Sequence, residues 1–261
     1  MKVETIRSTD KPEQLFCQTA RGDYYDGYVG DTEYEQLMAD VKYSEEDIEA
    51  VKKYINDNGA EWVKQHMADG KIETAARTRA FVRKQLGRGH YGPAEHPQIT
   101  FSVKGISRVT MAQITRHRHM SFDVQSQRYV DFSDKEAIVP KSLKDPEHFS
   151  RETGTVEVEN REGHKRAYGR HVQEAFTRYE QMVEDGVPKE DARFILPVGT
   201  PVNMTFSGNA RTMMHVLNLR QKADSQWEIR ELSERIAEEV KDWLPYTGAW
   251  WEENGPMKIS P

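Results

Sequence analysis

A single cysteine, Cys17, occurs in 261 residues. An internal disulfide is therefore impossible, and a thiolate-rich metal site or thiolate catalysis would rest on that one residue. Its neighbours Leu15, Phe16 and Gln18 offer neither a cation nor a base, so Cys17 reads as structural and the compartment as a reducing cytoplasm. Long apolar runs are missing too. The longest uncharged stretch, residues 195–210, is interrupted by Pro197, Pro201, Asn203 and Asn209 and falls short of the ~20 apolar residues that span a bilayer. No membrane segment is expected, and the opening residues Met1, Lys2, Val3 and Glu4 lack the apolar stretch of a secretion signal. Basic excess is also absent. With 37 Lys and Arg against 43 Asp and Glu, the formal net charge is −6, so any polyanion has to be met by a local patch and bulk nucleic-acid binding is disfavoured. No P-loop G-x-x-x-x-G-K-[ST] and no G-x-S-x-G elbow occur. Repeats and Pro/Ser-rich linkers are lacking, which leaves 1–261 as one expected domain.

What is present reads as helices around a little sheet. Ser44 followed by Asp47 resembles a capping box, and Ile48, Val51 and Ile55 then fall at helical spacing until Asn58 and Gly59 stop the run. Further turns are expected over 62–67 and 72–86, where Gly87, Gly89, Gly92 and Pro93 break the pattern. Residues 1–80 thus form a helical N-terminal part. Ile99, Phe101 and Val103 alternate with polar residues as in a strand with one buried face. A helix is expected over about 107–116, an extended or looped stretch over 121–130, and a long helix over 166–184, where Val172, Phe176, Tyr179 and Val183 share a face. Val202, Met204 and Phe206 mark a second strand, and Asn209 stands as N-cap of a helix over 210–220. Ser225 and Glu228 spell another capping box, opening a helix with Ile229, Leu232, Ile236 and Val240 in one stripe. The fold class is α+β: a small mixed or antiparallel sheet with several flanking helices.

The densest polar cluster runs from Arg116 to Tyr129, with Arg116, His117, Arg118, His119, Ser121, Ser126 and Arg128 around the carboxylate Asp123. Guanidinium forks bind phosphate oxygens in pairs, and hydroxyls complete such sites. An anion pocket follows. A solvated charged face paired with the acidic surplus is the bland alternative, yet the run is rich in Ser, Gln, Phe and Tyr where a solvated face carries Lys and Glu. A helix over 107–117 puts Gln113 on one face with Arg116 and His117, while Arg118 points elsewhere. A second group occupies 209–220: Arg211, His215 and Asn218 line a polar helix face, whereas Arg220 falls among apolar residues. There it either snorkels at the helix end, pairs with Asp224, or meets an anion or polarised carbonyl. A third group is the loop His90, Glu95 and His96, whose spacing matches no helical zinc signature.

These three elements together resemble a known family. Arg116-His117-Arg118-x-x-Ser121-x-x-x-x-Ser126-x-Arg128 is similar to the RHRxxSxNxxSxR signature of flavin-dependent thymidylate synthase. His90 with Glu95-His96 resembles the family's GHxSxxEH element. Asn209-Ala210-Arg211, and Asn218-Leu219-Arg220 through Gln226-Trp227-Glu228, resemble its C-terminal region. The likeness covers about residues 85–245, in the family's order, as a family core.

The resemblance implies reductive methylation of dUMP to dTMP, with 5,10-methylenetetrahydrofolate as carbon donor, FAD as hydride carrier and NADPH as reductant. It also implies a homotetramer with active sites shared between subunits; the cytoplasm and the expectation of no nucleic-acid partner and no metal come from the residues above. By motif matching, Arg116, His117, Arg118, Asn209, Arg211, His215 and His90 would hold FAD. Gln113, Arg116, Gln125, Ser126, Gln127, Arg128 and Arg193 would bind dUMP, the arginines chiefly its phosphate. Arg220 would be the catalytic residue, lying against the uracil and stabilising negative charge at N3 and O4. Three positions depart from the pattern: Asp123 replaces the signature's Asn, Val124 a common Glu, and Gly92 the loop hydroxyl. Two alternatives remain: a phosphate or RNA-binding module that uses the 116–128 run with Phe122 and Tyr129 as stacking platforms, and a purely structural helical protein.

Overall fold

The computed structural model describes residues 1–67, 69–133, 135–144, 149–150, 154–155 and 158–254. In chain order these form β1 (Lys2–Ser8), α1 (Pro12–Gly22), α2 (Tyr34–Met38), α3 (Glu45–His66), α4 (Ile72–Gly87), β2 (Gln98–Ser107), α5 (Arg108–Ile114) and β3 (Ser121–Val124). There follow α6 (Lys141–Lys144), β4 (Phe149–Ser150), β5 (Gly154–Thr155), α7 (Arg161–Glu184), α8 (Lys189–Ala192), β6 (Pro201–Asn209), α9 (Ala210–Arg220), α10 (Trp227–Trp243) and α11 (Pro245–Asn254). Short 3-10 turns lie at Val29–Asp31, Gly92–Glu95 and Arg193–Ile195. The main sheet has the order β1-β2-β6-β3, and β4 and β5 make a separate antiparallel pair.

Two compact units divide these elements. One comprises Met1–Glu4, Phe101–Phe206 and Leu219–Arg235; the other comprises Thr5–Thr100, Ser207–Asn218 and Ile236–Pro261.

In the first unit the period-2 reading holds. Phe101 and Val103 of β2 and Val202, Met204 and Phe206 of β6 are buried while their neighbours are not, and the Phe101 and Phe206 rings pack 5.3 Å apart. The two strands are antiparallel. Gly105 N–H donates to the Asn203 side chain at 3.1 Å, and Arg108 N–H to the Thr200 carbonyl at 3.2 Å. Ser107 ends β2 and caps α5, its Oγ accepting from Thr110 N–H at 3.1 Å. The expected second capping box does not form. Gln226, not Ser225, accepts from the Glu228 and Ile229 amides, because the Glu228 carboxylate is buried and takes the Ser107 amide at 2.7 Å together with the Ser107 hydroxyl. The start of α10 therefore braces the start of α5. The stripe Ile229 and Leu232 is buried as read.

In the second unit Ser44 and Asp47 form the full capping box that the sequence spells. Asn58 and Gly59 do not end the helix as expected. Gly59 instead adopts φ 71° and ψ −154° inside α3, a kink across which the helix resumes to His66. Beyond the kink Trp62 stacks on Tyr54 at 5.4 Å, and the Tyr246 ring meets Tyr54 edge-on at 5.9 Å. Cys17 is fully buried here beside the Thr78 carbonyl, and burial pushes its thiol pKa well up, so it is structural as read. β1 went unread in a segment expected to be helical, because this edge strand has no fully buried face to print an alternation. Gly87, Gly89 and Gly92 match the letters of a dinucleotide glycine motif, but they follow helix α4, whereas that motif needs a preceding strand.

Candidate active site

The C-terminal end of α5 and the residues beyond it gather part of the predicted site in the first unit. α5 stops at Ile114, and a tight turn with His117 N–H on the Ile114 carbonyl at 3.2 Å carries the chain away. His117 is buried while Arg116 and Arg118 are exposed. Arg220, the last residue of α9, meets this turn. Its Nε donates to His117 Nε2 at 3.0 Å, and one terminal nitrogen donates to the Gln113 carbonyl at 2.9 Å. His117 Nε2 therefore carries no proton in this arrangement. Asp224 is not the partner of Arg220; an imidazole and a carbonyl are. Burial first, and the nearby charge of Arg116 second, hold the Arg220 guanidinium below its ordinary pKa. Neither cation has a carboxylate in salt-bridge range among the described residues.

β3 extends only to Val124, after which Ser126 opens a turn by accepting from the Arg128 amide at 3.2 Å, while its carbonyl accepts from Val130. Gln125 pairs with Asn203 of β6 through backbone and side chain, at 2.9 and 3.3 Å. It lines an open hollow of about 330 Å³ with Asp123, Val124, Asn203 and Ser102. Gln127 is buried, and its side-chain nitrogen has no hydrogen-bond partner among the described residues. Arg128 donates to Glu190 at 2.5 Å, and Arg193 donates to the backbone carbonyl of the same Glu190 at 2.9 Å.

Sequence reasoning missed Arg108, the first residue of α5. Burial and the charge of Arg193 hold its guanidinium below the ordinary pKa, which makes a second like-charged pair with no carboxylate partner among the described residues. No local pattern announces it, since its neighbour comes from a distant turn. Six other arginines, Arg21, Arg79, Arg83, Arg128, Arg211 and Arg235, have a carboxylate in salt-bridge range. Guanidinium groups placed so are chemically suited to an anion.

The remaining predicted residues lie in the second unit. Asn209 caps α9, accepting from the Thr212 amide at 2.8 Å. Arg211 pairs with Glu95 of the loop before β2, and His90 sits 3.1 Å from Gln85 and 3.5 Å from Asp23. His215 lies one turn beyond Arg211 on α9, and Asn218 accepts from the Trp251 indole at 2.9 Å.

A family model described as thymidylate synthase complementing protein matches residues 4–246. A flavin-dependent thymidylate synthase of Haloarcula marismortui is 40% identical over 265 residues, covering 97% of this chain and 96% of the relative; one of Halobacterium salinarum is 37% identical, covering 97% and 95%. Among solved structures, the crystal structure of a UMP/dUMP methylase, PolB, from Streptomyces cacaoi bound with 5-Br dUMP superposes with a TM-score of 0.72 at 22% identity. The match covers 98% of this chain and 96% of that one, and it shows a shared fold.

Proposed function

Since the chain belongs to the flavin-dependent thymidylate synthase family, matched over residues 4–246 and by relatives of 37–40% identity, we propose how its residues divide the work. The protein is an enzyme that methylates dUMP to dTMP with a flavin. The comparisons give no support to the RNA-binding reading of residues 116–128. Beyond the family activity, the carbon donor is 5,10-methylenetetrahydrofolate, the reductant NADPH, the flavin FAD and the compartment the cytoplasm. Among the described residues no helix is long and apolar enough to cross a membrane.

The donor set fits these anionic partners. The charge of Arg116 bears on Arg220 and that of Arg193 on Arg108, and none of the four meets a carboxylate in salt-bridge range among the described residues. The Arg220 guanidinium, held by His117 and the Gln113 carbonyl beside the charge of Arg116, is the observation that carries the reading, because an incoming anion is favoured there. Gln113, Arg116, Gln125, Ser126, Gln127, Arg128 and Arg193 bind dUMP, and the unpartnered Gln127 amide supplies a waiting donor. Arg116, His117 and Arg118, with Asn209, Arg211, His215 and His90, hold FAD, which supplies hydride when bound. Arg220 is the catalytic residue. Its guanidinium, aligned by His117 and the Gln113 carbonyl, is set to stabilise the negative charge that collects at uracil N3 and O4 as C6 is reduced. No thiol is needed, in keeping with the buried, inert Cys17.

The assembly is a homotetramer with active sites shared between protomers, and residues 1–261 form one family domain. Phe194 is 86% exposed and Val198 68% exposed, both close in sequence to Arg193; apolar surface beside a substrate-binding residue supports coverage by a second copy. The purified protein tests the reading. It should be yellow, bleach on addition of NADPH, and convert dUMP to dTMP only with the folate present. A colourless protein that fails to take up added FAD would refute it.

A further inference from the structure

We propose that Arg108 is a further substrate-binding residue, a guanidinium that shares the 5′-phosphate of the pyrimidine nucleotide with Arg193; this rests on the dUMP reading above. Charge balance makes the case. Of the arginines assigned to the phosphate, Arg128 already gives its Nε–H to the Glu190 carboxylate at 2.5 Å, so that pair is neutral. Arg193 spends one N–H on the Glu190 carbonyl at 2.9 Å, which leaves its charge uncompensated. A phosphomonoester carries about −1.5 to −2 at neutral pH. Arg116 is shared with the flavin, so Arg193, as the one unshared charge, leaves part of the dianion unmatched. Arg108 supplies the second net positive charge.

Its placement is fixed from both sides. The Ser107 amide is tied to the buried Glu228 carboxylate at 2.7 Å, and the Arg108 amide is tied to the Thr200 carbonyl at 3.2 Å. Thr200 is itself braced, because its amide and hydroxyl both donate to the Pro197 carbonyl, at 2.9 and 2.6 Å. Arg193 starts the 3-10 turn that leads into this segment, with Leu196 N–H on its carbonyl at 3.1 Å. Both backbones are thus anchored to the same short stretch of chain. The Arg108 side chain is partly buried and has no carboxylate partner among the described residues, unlike the six arginines in salt bridges. Like charge from Arg193 disfavours the partly desolvated Arg108 cation, and an anion bound to both relieves it. Glu228 acts here through Ser107 and is a positioning residue.

The test compares ligands with and without the phosphate. The flavin-loaded enzyme and its Arg108→Gln and Arg108→Lys variants are titrated with dUMP and with deoxyuridine, following the flavin spectrum. Loss of one charge-assisted contact should weaken dUMP by about tenfold or more in Arg108→Gln. Deoxyuridine affinity and flavin content should stay unchanged, and Arg108→Lys should recover part of the loss. The salt dependence of dUMP binding should also become shallower in Arg108→Gln. Equal dUMP affinity in wild type and Arg108→Gln would overturn the role of Arg108 alone, as would an equal loss for dUMP and deoxyuridine. A wild-type enzyme that binds no dUMP would overturn the nucleotide reading itself.

Discussion

Single side chains in this protein divide between those whose role is written in their neighbours and those whose role depends on a distant partner. Arg116, His117 and Arg118 are adjacent letters of one motif and were legible as a charged cluster, but the helix expected to reach about 116 ends at Ile114 and Arg116 and His117 lie in the turn beyond it. Arg220 was readable as an arginine in an apolar setting, but its partners were not, because His117 and Gln113 reach it from far along the chain. Arg108 and Glu228 were silent for the same reason. Glu228 had even suggested a cap at its own helix start, where Gln226 does that work. Glu13 is a further silent residue. It is buried at the start of α11, its two oxygens accepting the Tyr246 and Thr247 amides at 3.2 and 2.6 Å, and desolvation outweighs those bonds to raise its pKa to about 7. A carboxyl that holds its proton more tightly folded than unfolded contributes stability that is complete below about pH 4.5 and lost as pH rises to about 7. That loss amounts to at most about 3 kcal/mol. His66, which burial pushes down to about 4, acts in the opposite sense over an overlapping range. The wild type must therefore be compared with Glu13→Gln. Denaturant unfolding between pH 4.5 and 7.5 should show the wild type losing its advantage over the variant as pH rises; parallel curves would exclude a protonated Glu13.

At the scale of elements, periodicity was legible wherever one face is buried. Ile99, Phe101 and Val103, and likewise Val202, Met204 and Phe206, alternate because one side of their strands is core. β1 has no such face and left no signal. Helix starts were legible where the cap is local, as with Ser44 and Asp47, or with Asn209 before Thr212. Helix ends depended on backbone conformation. Gly59 looked like a terminator, yet it serves as a hinge inside α3 that lets Trp62 stack on Tyr54. Its φ of 71° with ψ of −154° belongs to a region open almost only to glycine, although nothing lies within 4 Å of a Cβ built there. Gly59→Ala should therefore destabilise through the backbone alone, by roughly 1–3 kcal/mol. Thermal unfolding of the flavin-loaded protein would register a Tm lower by several degrees at unchanged flavin content; an unaltered Tm would show that the helix accepts a different path at this point.

For the whole molecule the telling property is where charge is left unmatched. An acidic chain, with 43 carboxylates for 37 cationic side chains, can neutralise its arginines and does so at Arg21, Arg79, Arg83 and Arg235. Among the described residues it offers no salt-bridging carboxylate to Arg116 and Arg220 or to Arg108 and Arg193, the residues proposed here for the nucleotide. The central question is whether these guanidinium groups serve pyrimidine chemistry. Release of tritium from dUMP labelled at C5, by the flavin-loaded enzyme supplied with NADPH and methylenetetrahydrofolate, measures this most directly. The wild type should release tritium in step with dTMP, and Arg220→Ala should retain fold and flavin while losing about a hundredfold or more in rate. Undiminished release by Arg220→Ala, or none by a wild type that binds both flavin and dUMP, would contradict that role.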